Sequence, residues 1–473
     1  MTADHDSTGT APGRQFRRTL AALLAGLILL CLALVAVNVL NGPRLTGSQV
    51  DTTAVVSQAN QRLVLETNQQ LTDVTSDQVT VTPASRVDVQ TKNDSIVIVF
   101  AQPLAYNTEY SVDVSQVTGP FPERSSDFSV AFRTDEAPLY FLNRVPALPG
   151  ESTKAPDRIV KTTVGSAATT DVFTAPYIQS FVPMGDELVV VTLNDDLTNR
   201  LSLVAADGQA AELTLPGSGT VQDLQGSNTS STVGFRFTSA PDAAGSYDNT
   251  LFLADLTRGT VDTVAGLDNR PVQAIAWGFM ANRAEVVAQV FDTTLLLIDP
   301  RTDDTPIPIG QFPNLNGFAP DGLRIAVSDQ TSQYILDLST GTEAAIVPQD
   351  VAGTTPYTAE LRFLTGGEGY VQRVAEFDQA SGKVKQYLTL VTGDPAAPTS
   401  RVVYEPTLAD ETIVGFSISP NDQYLAIQTV PNSQTQVSDN YPVDPQATTA
   451  TTIFVDLASG ATTRSVVGID VTW

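Results

Sequence analysis

The chain has 473 residues, 42 % of them hydrophobic and only 16 % charged, with 52 Asp and Glu against 26 Lys and Arg, a net charge of −26. A balance this acidic argues against nucleic acid, whose phosphates need clustered Lys and Arg, and against a broad electrostatic hold on anionic lipid. There is one His and one Cys, His5 and Cys31. Beyond residue 31 no disulfide, no His- or Cys-based metal site and no triad with a His base can form.

Residues 1–18 open the chain; the first thirteen (MTADHDSTGTAPG) are polar and broken by Gly and Pro, and 1–18 is expected to be a disordered cytoplasmic tail. Residues 20–37 (LAALLAGLILLCLALVAV) carry no charge and no Pro. With flanking residues the run reaches 19–41, long enough at 1.5 Å per residue to cross a hydrocarbon core of ~30 Å. Arg14, Arg17 and Arg18 precede it and Arg44 follows alone, so the charge bias predicts a single-pass transmembrane helix, the N-terminus cytoplasmic and the bulk outside, at the cell membrane. The run is longer than the apolar region of a cleaved signal peptide, and its end offers a poor cleavage site. Leu30 before Cys31 does not suit a lipoprotein, and the twin-arginine pattern around Arg17-Arg18 is weak.

From 43 to 135 the pattern changes to short alternating runs: RLVL at 62–65, QVTV at 78–81, SIVIVF at 95–100, YSVDV at 110–114 and FSVAF at 128–132. Each is rich in β-branched or aromatic residues and bounded by turn residues; about seven such strands in roughly 90 residues predict a β-sandwich. The VTP at 81–83, the VFAQPLAYNTEYSVDV at 99–114 and the closing FSVAFRT at 128–134 resemble the bacterial Ig-like domains of surface-layer and cell-wall proteins. That resemblance implies a spacer or adhesion module, with no catalytic residues to carry over.

Residues 136–473 repeat a unit. Its clearest copy, NGFAPDGLRIAVSDQTSQYILDLSTG at 316–341, has an aromatic-Pro turn to Asp-Gly, a hydrophobic strand, then a strand ending in Asp-Leu-x-x-Gly. A second is GFSISPNDQYLAIQTV at 415–430, completed by IFVDLASG at 453–460; a third joins AIAWGF, EVVAQV and LLLIDPRTD between 274 and 303. Partial copies end at Gly208, Gly259 and Gly393. Steps of about 40–60 residues suit four-stranded propeller blades, which bury both faces only by stacking around an axis. Six units fit between about 172 and 467. IDVTW at 469–473 reads as a further inner strand for a blade whose outer strands lie at 139–164, so seven blades are favoured, with six the alternative. The turns at 318–326 and 416–426 are similar to those of TolB-like and WD-repeat-like propellers. The expected fold class is therefore an all-β ectodomain, an Ig-like sandwich plus a propeller, behind one helix.

No residue is assigned a catalytic, cofactor or metal role. Asn194-Asp195-Asp196 lacks the spacing of a calcium loop and reads as a polar turn, as do Asp299, Asp303 and Asp304. Asp255, Asp337 and Asp456 recur after the third strand of a unit and read as turn residues. Trp277, Phe318, Phe363 and Phe416 end inner strands, where aromatic side chains pack between blades more often than they meet ligand. No nucleophile elbow, P-loop or dinucleotide fingerprint is present. The composition, rich in Ala, Thr, Val and Asp, suits a high-GC bacterium. Together these features point to a binding or scaffolding protein, not an enzyme, whose propeller docks a protein or cell-envelope ligand. A carboxylate-based hydrolase or lyase acting on envelope polysaccharide is the alternative.

Overall fold

The computed structural model describes residues 13–40, 42–120, 124–146, 154–227, 229–243, 245–351, 353–367, 369–379, 382–394 and 397–473, with side chains in the first helix described over 16–31. Residues 1–12 of the expected tail, His5 among them, lie outside these.

The N-terminal helix runs Gly13–Leu40, so it starts earlier than expected and takes in the three arginines. The anchor expected over 19–41 and the cell-membrane location built on it do not stand. Among the described residues no helix is long and apolar enough to cross a membrane.

The chain divides into two compact units, Met1–Asp135 and Glu136–Trp473. In the first, seven strands form two sheets. One orders Leu45–Val50, Gln61–Thr67, Ser95–Phe100 and Val87–Lys92; the other orders Val79–Thr82, Glu109–Thr118 and Ser125–Arg133. The alternation seen in sequence is the burial pattern: Leu63, Leu65, Ile96, Ile98, Phe100, Val112 and Val114 point inward and are essentially fully buried. Phe100 of the first sheet meets Phe132 of the second edge to face at 6.2 Å, so the sheets face each other. A tight turn at 106–107 leads into Glu109–Thr118, with Asn107 left-handed at φ 50°.

The second unit is a seven-bladed propeller, each described blade a four-stranded antiparallel sheet. Blade 1 orders Thr170–Ala175, Asp157–Thr162, Leu139–Asn143 and, innermost, Ile469–Thr472. Six blades then follow in chain order, each a meander beginning on its inner strand: blade 2 from Ile178–Met184, blade 3 from Gly219–Gly226, blade 4 from Ala274–Phe279, blade 5 from Asn314–Phe318, blade 6 from Tyr357–Phe363 and blade 7 from Thr412–Ile418. The strand at 469–472 closes blade 1 as the sequence suggests. Thr170–Ala175 also belongs to that blade, so the first complete unit starts at Ile178, a few residues later than expected.

Seven apolar clusters join consecutive blades. Leu142 and Ile159 meet Ile178 and Val190; Val189 and Leu201 meet Phe235 and Phe237; Leu251 meets Trp277; Val287 meets Ile325. Ala326 then meets Leu361, Leu388 meets Phe416, and Phe454 meets Leu139 and Phe141 to close the circle. Each fully buried Val, Leu, Ile or Phe among these contributes about 1.5–3 kcal/mol, so the ring rests on interfaces no single blade could supply. Glycines receive the inner-strand aromatics: a Cβ at Gly234 would overlap the Trp277 ring, and one at Gly278 the Phe318 ring.

Candidate functional site: the bulged mouth of the central channel

Each of the seven inner strands carries a β-bulge against its neighbour. The register slips around Gln179, Asp223 and Leu224, Ile275, Asn316, Ala359 and Glu360, Val414, and Asp470 and Val471. A bulge bends its strand and re-aims the extra side chain. Asp223 and Asp470 take up the distortion as left-handed residues, φ 49° and 53°. The inner strands share one direction along the axis, so the bulges gather around one end of the channel. Five of the seven bring a polar side chain there: Gln179, Asp223, Asn316, Glu360 and Asp470.

A polar side chain from each blade clasps the next blade near its bulge. The Arg144 guanidinium donates to the carbonyls of Ile178 and Gln179. Asn199 accepts from Val221 N at 2.6 Å, Arg236 donates to the Ala274 carbonyl at 3.2 Å, and Gln289 donates to the Phe312 carbonyl at 2.5 Å. Gln333 donates to the Ala359 carbonyl at 2.7 Å, and Arg373 to those of Ile413 and Val414 at 3.0 and 3.2 Å. Gln428 completes the circle by accepting from Asp470 N at 3.3 Å. A bulge frees backbone groups from the ladder, and groups buried without partners are costly, so these clasps satisfy them.

The loop at 431–450 of blade 7 reaches across blades 1 and 2. Asp439 pairs with Arg144 at 2.8 Å, both side chains 5 % exposed, and the Arg144 guanidinium lies 4.0 Å above the Tyr441 ring. The Tyr441 hydroxyl donates to Asp157, which also holds Lys154, Val145 N and Ile178 N. Burial and then Asp157 push the Tyr441 phenol well above its usual range. Gln179 donates to the Val443 carbonyl. The cavity left beside Arg144 and Ile469 is about 20 Å³, room for one water. Opposite, between blades 5 and 6, the mouth opens into a cavity of about 430 Å³ lined by Asn314, Asn316, Ser328, Gln333, Glu360 and Arg362 among others.

Carboxylates at the mouth are largely committed to structural bonds. Glu360 lies between Arg362 at 2.5 Å and Arg373 at 3.8 Å. Asp223 holds Arg236, and Asp439 also accepts from Tyr441 N and Gln446 N. Asp470, half-buried, is the exception in its ionisation: burial pushes its carboxyl up to about 6, with Arg144 opposing and Asp444 and Asp439 adding.

The acidic residues singled out in sequence lie elsewhere, in turns. The Asp196 carboxylate accepts from Thr198 N and its hydroxyl, which lowers its pKa. Asp255, Asp337 and Asp456 each accept from backbone N–H groups two or three residues on, ahead of left-handed Gly259, Gly341 and Gly460. Asp299 binds Arg301 N and its guanidinium, whose hydrogen bond lowers the carboxyl pKa. Asp303 and Asp304 are exposed in the following turn. Among the described residues no group of three or more His, Cys, Asp or Glu is placed to hold a metal. Trp277 and Phe416 are buried between blades, and Phe318 and Phe363 pack on such clusters.

No family model and no curated protein matches the sequence. Solved structures resemble it in fold. An uncharacterised protein from Listeria monocytogenes is 11 % identical, covering 68 % of this chain and 93 % of its own, with a TM-score of 0.41. The β-propeller domain of the Trilobed protease from Pyrococcus furiosus is 9 % identical over 74 % of this chain and 90 % of that one, TM-score 0.40. An acylaminoacyl peptidase from Pyrococcus horikoshii is 12 % identical over 74 % of this chain and 50 % of that one, TM-score 0.42. At these values the likeness is one of fold alone, and the chemistry of those proteins is not transferred.

Proposed function

We propose that the chain is a binding or scaffolding protein whose propeller docks a protein or cell-envelope ligand at the bulged mouth of its channel, without catalysing a reaction. The observation that carries this reading is the ring of seven bulges, five of them with polar side chains, on a frame stiffened by a clasp at every blade boundary. Such a surface is pre-organised, which lowers the ordering cost of binding. In this reading residues 43–135, which resemble a bacterial Ig-like domain, form a spacer, and 136–473 form the docking body. The net charge of −26 supports a partner other than nucleic acid.

The alternative is a carboxylate-based hydrolase or lyase acting on envelope polysaccharide. It has one observation in its favour, the raised Asp470 carboxyl, which suits a general acid. It needs a second carboxylate across the sugar, and Glu360, Asp223 and Asp439 are held in ion pairs.

Affinity capture from crosslinked cells with the full chain tests the two. Docking at the mouth predicts a dominant protein or envelope polymer that wild type retains and the double charge reversal Glu360→Lys/Arg362→Glu loses at least tenfold. Equal capture by both overturns the docking site. Polymer shortened by wild type and left intact by Asp470→Asn overturns the non-catalytic reading.

A further inference from the structure

The cavity between blades 5 and 6 has a chemistry narrower than general docking, and a role for it in ligand binding rests on the mouth being a docking surface. Its volume of about 430 Å³ falls within the ~300–1,000 Å³ of small-molecule sites. Its walls are unlike the apolar lining usual there: apart from Leu315 and Ala359 every described lining residue is polar. Among the described residues no aromatic ring lines it, so an apolar ligand would gain little.

The polar groups are of two kinds. Some are spent holding the wall. Gln333 donates to the Ala359 carbonyl and accepts from Gln372, and Asn314 donates to the Ser328 hydroxyl at 3.1 Å. Others face outward demands. Among the described residues the buried Asn316 side-chain nitrogen has no hydrogen-bond partner, so it calls for an acceptor. On the adjoining bulge, the Glu360 carboxylate is ion-paired with Arg362 and Arg373, and the lone pairs those bonds leave can still accept from a hydroxyl. A carboxylate and a guanidinium side by side accept from and donate to the same group, which is the pairing a hydroxyl satisfies.

Charge narrows the choice. A cationic ligand would meet Arg362 and Arg373, whose charges outnumber that of Glu360. An anionic one would approach against the field of a chain carrying −26. We propose that this cavity binds a neutral, polyhydroxylated ligand, one or two rings of a carbohydrate, with one ring hydroxyl accepting from Asn316 and another donating to Glu360.

The experiment is a titration of the full chain, by calorimetry and saturation-transfer NMR, with glucose, galactose, mannose, N-acetylglucosamine and their disaccharides, and with glucuronate as the anionic probe. Binding by at least one neutral sugar is expected with Kd on the order of millimolar, as a small polar ligand permits. Asn316→Ala and Glu360→Gln should each weaken it about tenfold, the loss of one buried hydrogen bond to a paired group. Glu212→Gln, on the exposed outer strand of blade 2, should leave it unchanged. Circular dichroism melts establish that each variant is folded, and Glu360→Gln stands alone if Asn316→Ala is not. No neutral sugar bound by wild type, binding unmoved by either folded variant, or tighter binding of glucuronate overturns the proposal. If the sugars fail while partner capture is still lost on charge reversal at Glu360 and Arg362, the ligand class falls and the docking surface stands.

Discussion

Asp470 sits where two demands on one residue conflict. Its backbone closes the seventh clasp in a left-handed bulge, and its carboxyl is pushed up to about 6 by burial. The unfolded carboxyl ionises near the ordinary value of ~3.9, the folded one near 6, so the folded state binds the proton more tightly. Stability from this group is therefore full below about pH 4 and lost as pH rises through 6. Asp470→Asn keeps a residue that tolerates positive φ and removes the titration. It is expected to match the parent at pH 4 and exceed it by about 1–2 kcal/mol at pH 8, less than the full shift because channel water screens the charge. Urea melts at both pH values check this; a gap that does not change with pH refutes it. Nothing in the sequence marks Asp470, one acidic residue among 52. Its place depends on strand 139–143 and on Gln428, both distant in the chain. The same holds for Arg144, Gln333 and Arg373, whose acceptors lie 26 to 41 residues further along.

At the scale of the element, the Pro-x-x turns show one conformation filled in two ways. In blade 5, Gly322 is left-handed at φ 66°, and a Cβ there would overlap the Ala281 carbonyl of blade 4. In blade 7 the matching position is Asp422, φ 58°, whose carboxylate accepts from Thr365 N at 2.8 Å and Gly366 N at 3.1 Å in blade 6. One turn makes room for the neighbouring blade, and the other bonds to it. Gly322→Ala should therefore cost about 2–3 kcal/mol, strain and collision together, measured by chemical denaturation. A loss below about 1 kcal/mol would mean that the turn shifts freely. These turns are legible in the sequence because their residue types follow from local φ and hydrogen bonding. So are the Asp-Leu-x-x-Gly ends and the inner strands. The bulges are not, because a bulge is defined only against its partner strand. Thr170–Ala175 and Val87–Lys92 give little strand signal because their runs are half polar, and the apolar run at 20–37 reads as a membrane span that the described helix does not support.

For the whole molecule, closure is the organising fact. Strand Ile469–Thr472 pairs with Leu139–Asn143, and Ile469 is 4 % exposed in the cluster joining blades 1 and 2. Deleting 469–473 leaves blade 1 with an open inner edge and removes the Gln428 clasp. The expected loss exceeds about 5 kcal/mol, on the order of 10 °C in Tm, with the single propeller transition split in calorimetry. An unchanged single transition would show that six blades and three strands suffice. The same pairing sets a timetable for synthesis. Strand 139–143 leaves the ribosome more than three hundred residues ahead of its partner, a wait on the order of half a minute at roughly 5–20 residues per second. During that interval its free edge can accept a strand from a neighbouring nascent chain, the start of a strand-exchanged dimer. Crowded polysomes, more than heat or acid, are then the setting in which this ring is most exposed to misassembly.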